Sequence, residues 1–269
     1  MASVQSAFLH VVADYAAGDL AFSEMISALA AQLPTQWRWH TTPVQSFDTL
    51  GTGFILAQLA LQKAELRPQP LLIFANCAPR QQSEQACQDN TGEDLVYGRL
   101  ENGVELVVVN SGFTLSFVKP QLRELRALDV PSGGSQFRSR DLFPAVVCQL
   151  AQGNRARLGQ ELDRAGIPDP PQMAVAYVDS FGNLKTTLRG ELSLSQRVEI
   201  TLNGTTRTAR VTTGSFEVEP GQLALAPGSS GHDQPFWELF RRDGSAFQEF
   251  KCPAPGARFQ LNSLETRER

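Results

Sequence analysis

Residues 173–188, MAVAYVDSFGNLKTTL, run from an alternating apolar segment through a polar turn into a second extended segment. Ala174-Val175-Ala176-Tyr177-Val178 reads as a strand, and Asp179-Ser180-Phe181-Gly182-Asn183 follows at its end. Asp179 can accept hydrogen bonds from an ammonium group, Phe181 can cover a flat ring, and Asn183 can offer donor and acceptor to a heterocycle edge. The same five residues also suit a plain β-hairpin in which Asp179 and Asn183 make the turn and Gly182 supplies a positive φ. The residues alone leave both readings open.

Downstream of this stretch, short apolar segments are separated by Asn203-Gly204, Pro220-Gly221, Pro227-Gly228 and Asp243-Gly244, the pattern of a small all-β domain, sandwich or barrel. Upstream lies Pro168-Asp169-Pro170-Pro171, closing a charged segment that reads as a linker. The expected division is therefore an α/β domain over 1–155, a linker over 156–171 and a β-barrel domain over 172–269.

Within the first domain, 7–12 reads as a strand ending at Ala13-Asp14-Tyr15, and 20–33 as a helix that Asp19 is placed to cap. An acid at the C-terminal end of a strand in an α/β unit is suited to a ribose diol, and equally to a turn, so Asp14 is a candidate for either. A strand over 37–42, a loop over 43–48 and a helix over 49–64 follow. The continuously apolar 71–75 suggests a mainly parallel sheet buried on both faces. Asn76-Cys77-Ala78-Pro79-Arg80 then falls at the strand's C-terminal end, where ligands gather in open α/β sheets. Segments 94–100 and 104–109 form a hairpin around Glu101-Asn102-Gly103. Ser139 or Asp141 is the natural N-cap of an apolar helix over 142–151.

Composition narrows the function. The 269 residues suffice for two modest domains. No apolar run approaches the ~20 residues of a membrane helix, and no basic region precedes the first apolar run, so a cytoplasmic protein without signal peptide or membrane contact is expected. A net charge of −4 with scattered basic residues argues against nucleic acid as a partner. The four cysteines lack metal-ligand spacing, and His10, His40 and His232 are too few and dispersed for a zinc site; reduced thiols and no metal are expected.

Taken in order, these blocks resemble the S-adenosylmethionine hydroxide adenosyltransferases and their fluorinase and chlorinase relatives. Asp14-Tyr15-Ala16-Ala17-Gly18-Asp19 is similar to the family's opening Asp-Phe-Gly loop, with Ala16 where glycine is usual. His40-Thr41-Thr42-Pro43 with Phe47-Asp48 resembles its second loop, and Asn110-Ser111-Gly112 stands at its Pro-Asp-Asn-Gly segment. Phe137-Arg138-Ser139-Arg140-Asp141-Leu142-Phe143 resembles Phe-His-Gly-Arg-Asp-Ile-Phe, and Asp179-Ser180-Phe181-Gly182-Asn183-Leu184 is the most specific match. Ser215-Phe216 with Pro220-Gly221, Ser229-Ser230-Gly231 and Gly244-Ser245-Ala246 complete the order.

The resemblance implies a homotrimer with the nucleoside site between one subunit's N-terminal domain and a neighbour's C-terminal domain, and no cofactor beyond S-adenosylmethionine itself. It implies that Asp14 holds the ribose hydroxyls, with Phe47 lining the ribose side. Asp179 meets the methionine ammonium and Ser229 or Ser230 its carboxylate. Phe181 and Phe216 flank the adenine, with Asn183 and the backbone near Ala246 reading its edge. The implied chemistry is displacement of methionine at ribose C5′, giving adenosine or a 5′-substituted adenosine. The departures fall on the reacting side: Asn76 stands at the family's Asp, Arg138 at its His, and only a gap lets Arg80 serve as its Arg. Neither Asn76 nor Arg138 can act as a base. Ser139 matches the halide-contacting serine of the fluorinase, and two cations, Arg80 and Arg138, would favour an anion. Three functions follow: an adenosyltransferase or hydrolase, an inactive binder of S-adenosylmethionine or adenosine, and an interaction protein on the same framework.

Overall fold

The strand β1 (Ala7–Ala13) leads through helix α1 (Leu20–Ala30) to β2 (Trp37–Pro43), and then through α2 (Thr49–Ala60) to β3 (Leu71–Asn76). These come from a computed structural model that describes residues 7–68, 70–79, 92–131 and 135–264. The chain divides into two units, Met1–Asp169 and Pro170–Arg269.

In the first unit β1 pairs in parallel with β2 on one side and β3 on the other. The chain thus reverses its direction of winding between β1 and β3, and a crevice opens at the C-terminal ends of such a pair. Asp19 caps α1 by accepting from the Ala21 N–H, and Phe22, Met25 and Leu29 turn one face inward. The helix α2 is capped by Asp48 and buried from Leu50 through Leu56.

Beyond β3 the sheet changes character. Strands β4 (Leu95–Leu100) and β5 (Glu105–Val109) form the expected hairpin, with Gly103 at φ 83° in its turn. Strands β6 (Leu122–Leu128) and β7 (Leu158–Glu161) extend it, giving the order β2-β1-β3-β5-β4-β6-β7. Three pairings are parallel and three antiparallel, so the sheet is mixed rather than mainly parallel. The reversal at the 101–103 turn is the cause: β5 enters beside β3 and sends β4 outward antiparallel. Within the expected linker, β7 pairs with β6, and Lys119 bonds the Ile167 carbonyl and Asp169.

The expected helix over 142–151 is two pieces, α3 (Arg138–Asp141) and α4 (Phe143–Ala151). Neither Ser139 nor Asp141 caps it. Because helical structure begins already at Arg138, Ser139 lies inside the first piece and is buried, while Asp141 pairs with Arg140 at 2.6 Å. Val146, Val147 and Leu150 of α4 join Phe22 and Met25 of α1 against Leu9, Phe74, Tyr97 and Val107 of the sheet.

The second unit holds β8 (Val175–Val178), β9 (Leu184–Thr186), β10 (Arg197–Leu202), β11 (Thr205–Val211), β12 (Leu223–Pro227), β13 (Trp237–Arg241), the short helix α5 (Ala246–Glu249) and β14 (Phe259–Leu264). Their order is β14-β10-β11-β12-β13-β9-β8. This sheet curls so far that its two edges come together at an isolated bridge: Ala174 bridges Arg258, and the Phe259 N–H donates to the Met173 carbonyl at 2.8 Å. Closing the edges satisfies backbone groups that would otherwise invite another chain. Val198, Ile200, Val211, Leu225, Leu239 and Phe250 fill the interior. No helix among the described residues is long and apolar enough to cross a membrane.

Candidate functional site

The switch between β1 and β3 places Asp14 and Asn76 side by side, and the Asp14 N–H donates to the Asn76 carbonyl at 3.1 Å. One carboxylate oxygen of Asp14 accepts from the Phe47 N–H at 3.2 Å and the Ala78 N–H at 3.4 Å. Asp14 therefore ties together the ends of three elements. Burial raises its pKa, against which these N–H groups work. Its remaining acceptor capacity suits a diol. Phe47 sits at φ 66°, a conformation that is uncommon outside glycine, and the residue is 55% exposed. Residues held in sparsely populated backbone conformations cluster at active sites and ligand clamps.

Beneath this rim lie two groups not singled out as site residues from the sequence. Asp48 accepts from the Gly51 N–H at 2.7 Å, and a side chain at 51 would run into its carboxyl. Cys77 is fully buried, its thiol pKa pushed up by burial and then by the Asp14 charge, which makes it an inert neighbour rather than a nucleophile. Burial also raises Asp48 to about 6, while burial followed by the charge of His40 lowers His10 to about 4. The signs oppose. Asp48 takes up protons on folding, so its contribution is present below its unfolded pKa and is lost as pH rises through about 6. His10 loses protons on folding, so its contribution is present above its unfolded pKa and is lost as pH falls towards about 4. We expect Asp48→Asn, which retains a capping oxygen, to gain about 2 kcal/mol above pH 6 and nothing near pH 4. Urea titrations across that range check it, and a pH-independent difference would contradict the assignment.

Asn76 itself is only 3% exposed, at the end of β3. The Ser139 hydroxyl meets the Tyr15 hydroxyl at 2.8 Å, which brings α3 to the residue following Asp14. Arg138 is engaged elsewhere: it donates to the Glu93 carbonyl at 3.1 Å and lies 5.1 Å from the centre of the Phe143 ring. Arg80 lies outside the described residues.

In the second unit the 179–183 turn is closed by its own hydrogen bonds. One oxygen of Asp179 accepts from the Phe181 and Asn183 N–H groups, and the other from the Asn183 carboxamide, each at 3.0 Å. A carboxylate offers about four lone-pair positions, so one remains for an ammonium. The hairpin and ligand readings are thus compatible: the turn fixes the carboxylate that a ligand can meet. Gly182, at φ 79°, lies so close to Ser245 that a Cβ would overlap the Ser245 hydroxyl, and its carbonyl accepts from the Phe247 N–H at 2.8 Å. Asn183 and buried Ala246 are thereby brought together. Ser229 joins through Lys185, whose ammonium reaches its hydroxyl at 3.1 Å, and Ser230 is buried beside it. Phe216 stands on a separate turn, where Arg242 bonds its carbonyl and approaches its ring. Phe181 is 78% and Phe216 82% exposed.

Residues 173–255 match the family model described as SAM hydroxide adenosyltransferase C-terminal domain. The chain resembles the SAM hydroxide adenosyltransferases. Its fold is similar to that of an uncharacterized conserved protein from Thermotoga maritima, with a TM-score of 0.74 and 18% identity over 94% of this chain and 99% of that one. A conserved hypothetical protein from Thermus thermophilus is similar with a TM-score of 0.69 and 18% identity, over 95% and 99%. Comparison with curated protein sequences gives no match. The family match covers the turn, both serines, Phe216 and Ala246, the whole set of candidates in the second unit.

Proposed function

We propose that the protein binds S-adenosylmethionine and displaces methionine at ribose C5′. The observation that carries this is which phenylalanines are exposed. Of the sixteen in the chain, all lie among the described residues and three are exposed: Phe47, Phe181 and Phe216. They are the same three that the family resemblance places around the nucleoside. Exposed rings on rigid turns cost solvation unless a ligand or partner covers them.

In the proposed reaction a nucleophile forms a bond to C5′ as the C5′–S bond breaks, and the electron pair leaves with sulfur to give neutral methionine. The leaving group needs no proton, so positioning and exclusion of water supply the catalysis. Water as nucleophile must lose a proton, and neither Asn76 nor Arg138 can accept it, which favours an anionic nucleophile. The second reading, binding without turnover, draws on the same two residues, Asn76 buried and Arg138 held by Glu93 and Phe143. A homotrimer with sites shared between subunits belongs to the proposal, and light scattering should give three chain masses.

The test is incubation with S-adenosylmethionine, with and without chloride, followed by chromatography and a thermal-shift titration. A shift with adenosine or 5′-chloroadenosine supports the transferase, a shift alone the binder, and no shift overturns both. Stacking of a base on an aromatic ring contributes about 1–3 kcal/mol. Phe181→Ala and Phe216→Ala should therefore each weaken binding about tenfold or more, with no loss of melting temperature, because both rings are exposed.

A further inference from the structure

We propose that Lys185 is a positioning residue that turns the Ser229 hydroxyl into a hydrogen-bond donor for a ligand carboxylate; the inference rests on the S-adenosylmethionine reading of the second unit. Lys185 of β9 and Glu238 of β13 are direct cross-strand partners. Their charged groups meet at 2.5 Å, with side-chain exposures of 12% and 2%. A buried ion pair is costly to assemble and needs further hydrogen bonds to complete it. Here both completing bonds go to one residue: the Lys185 ammonium donates to the Ser229 hydroxyl oxygen at 3.1 Å, and the Ser229 N–H donates to Glu238 at 3.0 Å. A Cβ at Gly228 would overlap the Glu238 carboxyl, so glycine is what lets the chain close on that carboxylate.

The consequence for Ser229 follows from donor and acceptor counting. An ammonium has no lone pair, so the serine must accept from it, and its own proton has to point elsewhere. Ser229 is exposed, so that proton faces solvent, polarised by the positive charge behind the oxygen. A hydroxyl presented in this way favours an anionic acceptor. Asn183, which holds the Asp179 carboxylate, and Lys185, which holds the Ser229 hydroxyl, flank buried Leu184 at the start of β9, and both are half-buried. The carboxylate of Asp179 and the donor of Ser229 are thus both anchored on the 183–185 segment, an acceptor and a donor suited to a ligand that carries an ammonium and a carboxylate together.

The experiment compares two ligands by calorimetry: S-adenosylmethionine, and 5′-methylthioadenosine, which keeps the nucleoside and sulfur but lacks the amino acid. The variants are Ser229→Ala, which leaves the ion pair intact, and the double variant Lys185→Gln with Glu238→Gln, which removes both charges without stranding either. Each is expected to bind S-adenosylmethionine at least tenfold more weakly than wild type and methylthioadenosine equally well. Unchanged S-adenosylmethionine affinity in the double variant, or equal loss for both ligands, overturns the role of Lys185. A wild type that binds neither ligand overturns the underlying reading, and the inference with it.

Discussion

Asp179→Asn is expected to lower S-adenosylmethionine affinity at least 100-fold while leaving adenosine affinity and melting temperature nearly unchanged. The asparagine oxygen can still accept from the Phe181 and Asn183 N–H groups, so the turn retains its two backbone bonds. Lost are the negative charge and the bond from the Asn183 carboxamide, which meets the other Asp179 oxygen. A hundredfold loss is about 2.7 kcal/mol, within reach of a charge-assisted hydrogen bond to an ammonium together with its electrostatic attraction. Asp179→Ala removes the turn acceptor as well and should add a stability loss of about 1–2 kcal/mol. Comparing the two variants by calorimetry separates the ligand's share from the hairpin's. Equal affinity for S-adenosylmethionine in wild type and Asp179→Asn would remove Asp179 from the site.

How far the sequence led depended on which physical signal each element carried. β1 and β3 were legible because they are apolar but for His10 and the terminal Asn76, as strands covered on both faces tend to be, and Asp19 announced α1 because capping is local chemistry. The 101–103 turn was legible too, yet its consequence for the sheet was not, since a turn does not say which side of a neighbouring strand the hairpin joins. β6 gave little to read. Its buried residues Leu122, Leu125 and Leu128 fall three apart, because the register shifts twice, opposite residues 122–124 in the pairing with β4 and between Arg126 and Leu128 in the pairing with β7. A three-residue spacing obscures the two-residue alternation of a strand. In the site, Asp14 and the 179–183 turn carried chemistry at one position or within five residues. The Tyr15–Ser139 bond spans 124 residues and the Lys185–Glu238 pair 53, and neither has a local signature. Ser139 was read as a cap because serine before an apolar run usually is one; its hydroxyl instead pairs with a tyrosine that only the fold brings near.

Restoring the family's acid and base, Asn76→Asp with Arg138→His, should raise adenosine formation at least tenfold over wild type, with the rate rising with pH. Asn76 is buried beside Asp14, so an aspartate there is desolvated and faces a like charge, both of which raise its pKa towards the range of a useful base. The same burial predicts a cost, since an ionised carboxylate at 76 adds to the penalty already carried by Asp14 and Asp48, and the double variant should lose stability as pH increases. Histidine at 138 gives up the bond to the Glu93 carbonyl and the stacking of the guanidinium on Phe143, and in exchange supplies a ring that titrates near neutrality. Either single change should fall short, because a base without a second proton-handling group, or the reverse, leaves water only half activated. Chromatographic assay of the two single variants and the double variant across pH 6–9 decides it. If the double variant folds, binds S-adenosylmethionine and still forms no adenosine, then positions 76 and 138 are not what separates this site from hydrolysis, and the anionic nucleophile becomes the stronger route.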